Sequence, residues 1–385
     1  MSRGKRYLGM LVVAALATGV AAYAMRGADA AAVFTVHMAT PGAGGSDNNS
    51  GLSASAPVTT LHRVHEVLKA HRPTTDVEVR IKQGTYVVPP MGNWYFYVPG
   101  HTISFLPADY QYGDGFDDFA GRPVFRNKRK ADGTYPTGNW LHFRTGPSWA
   151  PLHNGGDSRL RFYYLQVEYY VTGGLGIDGQ SGHDVLDERY DPPLSRRGSA
   201  GLNHNLVFGM VFRRIGNKYT GGSAFGYGAI VLTNSSYTRI TNSHFVEIEN
   251  TGGRQEYLHG VYVTHFSSRN RVDHSRFAYV SGDPIKTRDR SNFNTFEHSS
   301  YTRAGYKSFF RDQICDKRCA VAYSHERECA AYHNRFVYNR VLSAYNGSRS
   351  LPAWSLDPAG NTYSGGSPCT LPSGEQRVYT GGNTR

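Results

Sequence analysis

Three basic side chains alternate with other residues along one short segment: Lys286, Arg288 and Arg290. If this segment is a β-strand, alternation places all three on one face, where they form a basic strip. Like charges at this spacing repel each other, so the strip requires a compensating anion, either internal or bound. The guanidinium groups also disfavour the ammonium form of Lys286 and lower its pKa, which suits a lysine that accepts a proton.

The elements that must position this strip form a repeat in the sequence. An apolar pair with a spacing of five recurs in three copies, at Ile240–Phe245, Val272–Phe277 and Phe296–Tyr301, and earlier apolar residues precede the copies at Ile230, Val261 and Ile285. The last two copies start 24 residues apart. A βαβ unit needs about 30 residues or more, whereas one coil of a parallel β-solenoid fits this period.

Stacked coils bring equivalent residues within about 4.8 Å of each other. Alignment of the coils on their apolar starts predicts two outward columns, one with Val231, Tyr262 and Lys286, the other with Thr233, Thr264 and Arg288. His259 comes just before the strand that contains Tyr262. We therefore expect Tyr262 and His259 to be neighbours of Lys286.

The next coil continues the strip. A match without gaps between residues 282–289 and 305–312 predicts that Arg288 lies above Arg311 and Asp289 above Asp312. Two readings of the charges stay open, because Asp283, Asp289 and Asp312 can neutralise the strip internally. His265 falls in the column of Asp289, where a hydrogen bond inside the turn is the simpler interpretation.

The first thirty residues have the pattern of a secretory signal peptide. Arg3, Lys5 and Arg6 precede an apolar run over residues 7–24, and Ala28-Asp29-Ala30 offers a cleavage site of small residues. A retained membrane anchor is the alternative, since the run approaches the ~20 residues of a spanning helix. We expect a secreted, extracellular protein that consists of residues 31–385.

The charge balance indicates an anionic partner. The chain carries a net charge of +12, and residues 31–385 alone hold 38 basic and 29 acidic residues, a net charge of +9. The basic residues are not concentrated in a tail or along a helix, which argues against nucleic acid, as does secretion. We expect a monomer that binds an acidic polysaccharide and has no membrane partner after signal cleavage.

Both ends of the mature chain have features of their own. Residues 31–75 contain a predicted strand at 34–36 and a capping pair, Thr59-Thr60, followed by apolar residues at helical spacing, which indicates a helix that covers the first coil. Residues 313–385 hold the last coils and a cysteine-rich insertion. Its four cysteines favour two disulfides with three open connectivities, and a zinc site is the alternative; the cysteines are Cys315, Cys319, Cys329 and Cys369.

The N-terminal pattern resembles a known group of proteins. A strand, a loop rich in Gly, Asn and Ser, the sequence Ala-Pro-x-x-Thr-Leu at 56–61, a helix, and then Val77–Ile81 and Gly84-Thr85-Tyr86 resemble the start of secreted polysaccharide lyases in the pectate-lyase-like superfamily. The resemblance implies an all-β, single-domain, right-handed parallel β-helix with long loops that wall a groove. It covers most of residues 31–385 at the level of architecture. The sequence has no motif of one particular lyase family.

Such lyases cleave a uronate-linked chain by β-elimination, which removes the proton on C5 and expels the glycosidic oxygen O4. This reaction needs a cation on the substrate carboxylate, for which Arg288 is the candidate, and a base, for which we choose Lys286 because the neighbouring guanidinium groups lower its pKa. Tyr262 or His259 is the candidate acid. The resemblance itself implies only that a Lys or Arg on the outer face of a central coil takes part. The roles of Lys286, Tyr262 and His259 can also be exchanged. Further candidates for substrate binding are Arg290, Arg311, His265 and Arg254.

Calcium binds the carboxylate in many of the proteins that this chain resembles. Glu247, Glu249 and Asn250 are one candidate calcium site, and an early loop with Asp114, Asp117 and Asp118 is another.

Two other functions stay open. A glycoside hydrolase on the same fold needs a pair of carboxylates, for which Asp283 and Asp289 are candidates. A noncatalytic protein can use the same basic strip to hold an acidic polysaccharide.

Overall fold

Three long parallel β-sheets run side by side through the molecule. Among the described residues, eight successive coils each contribute one strand to each sheet, and one sheet has a further strand at each end. The computed structural model describes residues 32–114, 121–179, 201–314, 329–358 and 375–385. Within it, residues 33–385 form one compact unit. Every strand pair in the three sheets is parallel, as stacking of successive coils requires.

The strands are numbered in chain order. Sheet 1 contains β1 Phe34–Met38, β2 Val77–Ile81, β5 Ile103–Pro107, β9 Leu160–Tyr163, β13 Leu206–Phe208, β16 Arg239–Thr241, β19 Arg271–Asp273, β22 Thr295–Glu297, β25 Asn334–Val337 and β28 Val378–Gly381. Sheet 2 contains β3 Thr85–Val88, β6 Val124–Asn127, β10 Gln166–Glu168, β14 Val211–Ile215, β17 His244–Ile248, β20 Arg276–Val280, β23 Ser300–Ala304 and β26 Arg340–Val341. Sheet 3 contains β4 Met91–Trp94, β7 Asn139–Arg144, β11 Gly173–Asp178, β15 Gly228–Thr233, β18 His259–Thr264, β21 Ile285–Arg288, β24 Phe310–Gln313 and β27 Trp354–Leu356. A small fourth sheet pairs β8 Gly156–Asp157 with β12 Leu202–Asn203.

The predicted repeat forms the core. Phe245, Phe277 and Tyr301 stack on successive coils below Phe212, with ring centroids 5.4, 4.6 and 4.9 Å apart and planes within 11° of parallel. Each of these side chains is almost completely buried. Stacked aromatic rings fill the inside of the solenoid and hold the register between coils.

Buried asparagines line one of the turns. The side-chain Oδ1 of Asn270 accepts the backbone N–H of Thr238 at 2.8 Å, and Asn294 and Asn334 accept the N–H of the preceding asparagine in the ladder at 2.9 Å each. The strand ladders are interrupted at this turn, so its buried N–H groups need side-chain acceptors. The asparagine ladder therefore keeps successive coils aligned.

A helix near the N-terminus confirms the predicted cap. Helix α1, Leu61–His71, begins after Thr60, whose hydroxyl accepts the N–H of Arg63 at 3.1 Å. Asp47 in the preceding loop accepts the N–H groups of Thr59 and Thr60. Among the residues that the structure describes, the other helices are short: α2 Asn217–Thr220 and two 3-10 turns at Pro41–Ala43 and Gln255–Tyr257.

The predicted parallel β-helix with an N-terminal helix is confirmed. Within the described ranges, no helix is long and apolar enough to cross a membrane. The predicted signal peptide lies outside these ranges, as do most of the loops at 181–201 and 315–329. Cys329 is the one cysteine inside them and is disulfide-bonded, so the pairing of the four cysteines stays a prediction.

Candidate active site

The predicted column of Tyr262 and Lys286 exists on the outer face of sheet 3. Val231 on β15 pairs with Tyr262 on β18, Tyr262 pairs with Lys286 on β21, and Lys286 pairs with Arg311 on β24. We call Tyr262, Lys286 and Arg311 the site column. The inward neighbours of Lys286 on its strand are Ile285 and Thr287, both completely buried, as alternation predicts.

The predicted register between β21 and β24 is wrong by two residues. Arg311 lies opposite Lys286, and Asp312 lies opposite Thr287, whereas the match without gaps predicted partners two residues further along. The match used an offset of 23 residues, whereas Val280 pairs with Ala304 at an offset of 24 and Ile285 pairs with Phe310 at an offset of 25, so the turn before β24 contains one additional residue. In this turn the Oδ1 atom of Asp283 accepts the N–H groups of Tyr306, Lys307 and Ser308 at 3.3, 2.7 and 3.0 Å. The chain wraps around this carboxylate before β24 begins.

The basic strip is also shorter than predicted. Strand β21 ends at Arg288, and Asp289 and Arg290 both have positive φ, 45° and 54°, so the alternation stops. The guanidinium of Arg290 pairs with Asp289 at 2.8 Å and lies 5.3 Å from the ring centre of Phe266. Arg290 therefore does not extend the outward face that carries Lys286 and Arg288.

Lys286 is a buried cation with an altered pKa. Its side chain is 6% exposed, and burial, opposed by Asp283 and assisted by Arg311 and Arg288, lowers its pKa to about 8. Its Nζ atom has no hydrogen bond or ion pair with any residue that the structure describes; it lies 5.5 Å from the ring centre of Tyr262. A substantial fraction of Lys286 is thus neutral near pH 8 and able to accept a proton.

Tyr262 and Arg288 are joined by a hydrogen bond. The Nη1 atom of Arg288 donates to the phenolic oxygen of Tyr262 at 3.1 Å. Because the oxygen accepts this bond, its own proton points to another partner, and a phenolate formed by loss of that proton would be stabilised by the guanidinium. The pair can serve as a proton donor next to Lys286.

A hydrogen bond fixes His259 in one tautomer next to Tyr262. Its Nδ1 atom lies 2.8 Å from the backbone carbonyl of Asp283, which is only an acceptor, so Nδ1 carries the proton and Nε2 has a free lone pair. Burial lowers the pKa of His259 well below its usual value, and the nearby Lys286 and Arg311 lower it further. Its ring lies 5.3 Å from that of Tyr262. His259 is neutral at physiological pH and can accept a hydrogen bond.

Two aspartates, Asp357 and Asp283, lie close to the guanidinium of Arg311 in the site column. Arg311 donates three bonds to Asp357, from Nη2 at 2.9 and 3.2 Å to the two carboxylate oxygens and from Nε at 3.3 Å, and its Nη1 lies 3.9 Å from Oδ2 of Asp283. That Oδ2 atom is buried and lacks a hydrogen-bond partner among the described residues. Sequence reasoning missed Asp357, which follows Arg311 by 46 positions and belongs to no repeated pattern.

Buried aspartates neutralise some of the basic side chains near the site, as one of the two readings of the sequence predicted. His265 bonds to Asp289 through Nδ1 at 3.0 Å, and Asp312 accepts from Thr287 and pairs with Arg377. Both aspartates are buried. The roles of Arg290, Arg311 and His265 in substrate binding stay predictions, since each has a carboxylate partner of its own. Lys286 is the cation that the aspartates do not bind directly.

Arg254 is not a member of the site column. It is exposed, and its guanidinium carbon is 4.7 Å from the ring centre of Phe225 and 5.8 Å from that of Tyr257. These rings lie at the amino ends of β15 and β18, beside His259.

The residues proposed for calcium do not fit that ion in this arrangement. The carboxylate of Glu247 pairs with Arg213 and Arg214, and that of buried Glu249 accepts from Lys218, Tyr219 and Tyr345. The Oδ1 atom of Asn250 accepts the N–H of Asn217. Among the described residues, no three His, Cys, Asp or Glu side chains form a group that could hold a metal ion. Asp117 and Asp118 of the second candidate lie outside those residues, so calcium dependence stays a prediction.

Comparisons with known proteins give similarity in structure and none in sequence. No family model matches the chain, and no curated protein matches it. Its structure is similar to an alginate lyase from Paenibacillus sp. str. FPU-7, with a TM-score of 0.45 and 13% identity over 92% of this chain and 99% of that one. It is also similar to endo-xylogalacturonan hydrolase from Aspergillus tubingensis, with a TM-score of 0.40 and 11% identity over 92% of each chain. A rhamnogalacturonan lyase matches with a TM-score of 0.36 and 16% identity over 86% of this chain and 89% of that one. Similarity at this level does not identify a reaction or a substrate for this protein.

Proposed function

We propose that this protein is a secreted lyase that cleaves a uronate-containing polysaccharide by β-elimination. One observation carries the proposal: Lys286, with its pKa lowered to about 8, lies beside the phenol of Tyr262 on the adjacent strand, in a group with two arginines. A lysine with a pKa in this range is partly neutral near physiological pH, as a general base must be, and the adjacent phenol supplies a proton donor.

The proposed reaction needs one base and one acid. The neutral Nζ of Lys286 takes the proton from C5 of the uronate, and the electron pair of the broken C–H bond becomes an enolate on the carboxylate. The enolate then forms the C4–C5 double bond as the bond between C4 and O4 breaks. The departing O4 takes the proton of Tyr262, and proton exchange with water returns Lys286 and Tyr262 to their starting states.

The arginines assist through charge. Removal of the C5 proton places a second negative charge on the carboxylate group, and preorganised cations stabilise it by a few kcal/mol in a site shielded from water. Arg288 is next to Tyr262, and Arg311 is one strand beyond Lys286. Arg288 also stabilises the phenolate that Tyr262 becomes on protonating O4.

His259 is the alternative base. Its Nε2 atom is an acceptor and its ring is neutral, because its pKa is low and its Nδ1 proton is fixed on the carbonyl of Asp283. The two assignments differ in pH dependence: His259 is neutral throughout the range from pH 7 to 9, whereas Lys286 changes its charge within it.

Two features favour elimination over the alternatives. A hydrolase would use Asp283 and Asp289, but Asp283 binds three backbone N–H groups and Asp289 is shared by His265 and Arg290, and both are buried. A noncatalytic binding protein would not need the lowered pKa of Lys286. It would bind the polymer without producing an unsaturated end.

Ultraviolet absorbance of the C4–C5 double bond tests the proposal directly. Purified protein is incubated with a panel of uronate polymers, including alginate, polygalacturonate and glucuronan, with and without a chelator. We expect the absorbance to rise with at least one polymer, and to be lost in the Lys286→Ala and Arg288→Ala variants. Reducing ends without absorbance would instead indicate hydrolysis, and unchanged rates in both variants would refute the residue assignment.

A further inference from the structure

Three aromatic side chains form a cluster beside the site column. The ring centres of Phe225 and Tyr227 are 5.5 Å apart, those of Phe225 and Tyr257 are 5.6 Å apart, and those of Tyr227 and Tyr257 are 6.5 Å apart. We call Phe225, Tyr227 and Tyr257 the aromatic cluster. Tyr227 is 50% exposed, so its ring is accessible to a ligand.

The aromatic cluster borders the site directly. The backbone carbonyl of Tyr227 accepts the N–H of His259 at 3.0 Å, and the next residue, Gly228, pairs with His259 across the sheet. A Cβ atom at Gly228 would lie 3.2 Å from the Cβ of Tyr262. Gly228 is buried, and a Cβ atom there would also lie 2.8 Å from the carbonyl oxygen of Ile230 and 3.1 Å from the side chain of Val231, so the strands are tightly packed between the aromatic cluster and Tyr262.

Arg254 places a positive charge on the aromatic cluster. Its guanidinium lies over Phe225 and near Tyr257, and its backbone carbonyl accepts a hydrogen bond from the buried amide of Asn250 at 3.3 Å. Within the described ranges, no carboxylate is paired with this exposed guanidinium. Arginine that stacks on aromatic rings keeps its N–H donors in the ring plane, where they can grip a carboxylate.

We infer that the aromatic cluster and Arg254 form a subsite for the uronate unit next to the bond that is cleaved. This inference rests on the proposed function and specifies where the polymer continues. The exposed ring of Tyr227 contacts the apolar face of the sugar, and Arg254 binds its carboxylate. In this arrangement the polymer runs from the amino ends of β15 and β18 toward Tyr262 and Lys286.

Binding measurements in a protein that does not turn over substrate separate this inference from the proposed reaction. Isothermal titration with uronate oligomers from alginate and from polygalacturonate is carried out in the Lys286→Ala background. Arg254→Ala is compared there with Arg276→Ala, which removes an exposed arginine from β20 in sheet 2, away from the site. A charge-assisted hydrogen bond is worth about 1.5–3 kcal/mol, so we expect Arg254→Ala to weaken binding about tenfold or more. Arg276→Ala should change it less than about twofold.

A second arm identifies the group that Arg254 binds. With fully methyl-esterified polygalacturonate, which has no free carboxylate, the Arg254→Ala and Arg276→Ala proteins should bind alike. Tyr227→Ala should weaken binding of both the free and the esterified polymer. Thermal unfolding of each variant checks that the fold is retained.

The outcomes distinguish the two claims. If wild-type protein makes no unsaturated product but Arg254→Ala still loses binding selectively, the lyase assignment fails and the subsite stands. If product forms but Arg254→Ala binds like Arg276→Ala, the subsite is refuted. Equal losses with free and esterified polymer would also refute carboxylate recognition by Arg254.

Discussion

The rate of the proposed reaction should increase with pH because Lys286 must lose its proton first. With a pKa of about 8, the lysine is neutral in about 10% of molecules at pH 7 and in about 90% at pH 9. We therefore expect kcat/KM, which reports the free enzyme, to rise about ninefold over this range with a midpoint near pH 8. Uronate carboxylates titrate far below this range, at about pH 4, so the substrate contributes no change.

Initial rates of double-bond absorbance at low substrate concentration measure this profile. Two substitutions change the charge around Lys286 in opposite directions. Asp283 raises the pKa of Lys286, so Asp283→Asn should move the midpoint to lower pH. Arg311 lowers that pKa, so Arg311→Gln should move the midpoint to higher pH. Asp157→Asn is the matched control, because Asp157 is a partly exposed aspartate on the small fourth sheet.

Three results would contradict this reasoning. A flat profile from pH 7 to 9 would exclude Lys286 as the base and favour His259, which stays neutral throughout. A shift of the same sign in Asp283→Asn and Arg311→Gln would show that the midpoint does not report the charge near Lys286. An equal shift in Asp157→Asn would point to a general effect of net charge.

The other predictions concern the acid, the turns and the cap. Tyr262→Phe keeps the ring and removes the proton, so we expect kcat to fall by about 10²–10⁴ with little change in KM, measured by steady-state kinetics; an unaffected kcat would remove Tyr262 from the mechanism. Asn270→Ala leaves the N–H of Thr238 buried without an acceptor and should lower the free energy of unfolding by about 1–3 kcal/mol in urea, whereas the exposed Asn346→Ala should change it by less than about 0.5 kcal/mol. His65 packs on Trp94, and burial lowers its pKa to about 4; the unfolded state therefore binds its proton first, and stability should fall as pH decreases from about 6.5 toward 4. The His65→Leu variant should show a smaller decrease in melting temperature over the same range, and an identical decrease would exclude His65 as its source.

Much of the fold follows from local patterns in the sequence. Phe245, Phe277 and Tyr301 each end an apolar pair with a spacing of five and occupy the same place in successive coils, although they lie 32 and 24 residues apart. Thr60 and the apolar residues after it predict the capping helix. The asparagine ladder was not predicted, although Asn270, Asn294 and Asn334 occupy equivalent turns, because the repeat is recognisable in the sequence only through its apolar residues.

The site was predictable up to the point where coils differ in length. Tyr262 and Lys286 fall in one column because each directly follows an apolar residue, Val261 or Ile285, and these two apolar residues pair across the sheet. Arg311 was assigned to the wrong partner because the turn before β24 surrounds the carboxylate of Asp283, an interaction between coils that no spacing along one coil reveals. Asp357 was missed for the same reason, because it contacts Arg311 from the following coil.

The three N–H groups bound by Asp283 have a consequence for the smallest piece of this chain that can work. Solenoids often tolerate loss of terminal repeats, since each repeat contacts only its neighbours. A version truncated after Ala304 would retain Tyr262, Lys286 and Arg288, yet it would strip Asp283 of its donors at 306–308 and remove Arg311. Modular shortening from the carboxyl end should therefore abolish catalysis before it abolishes folding.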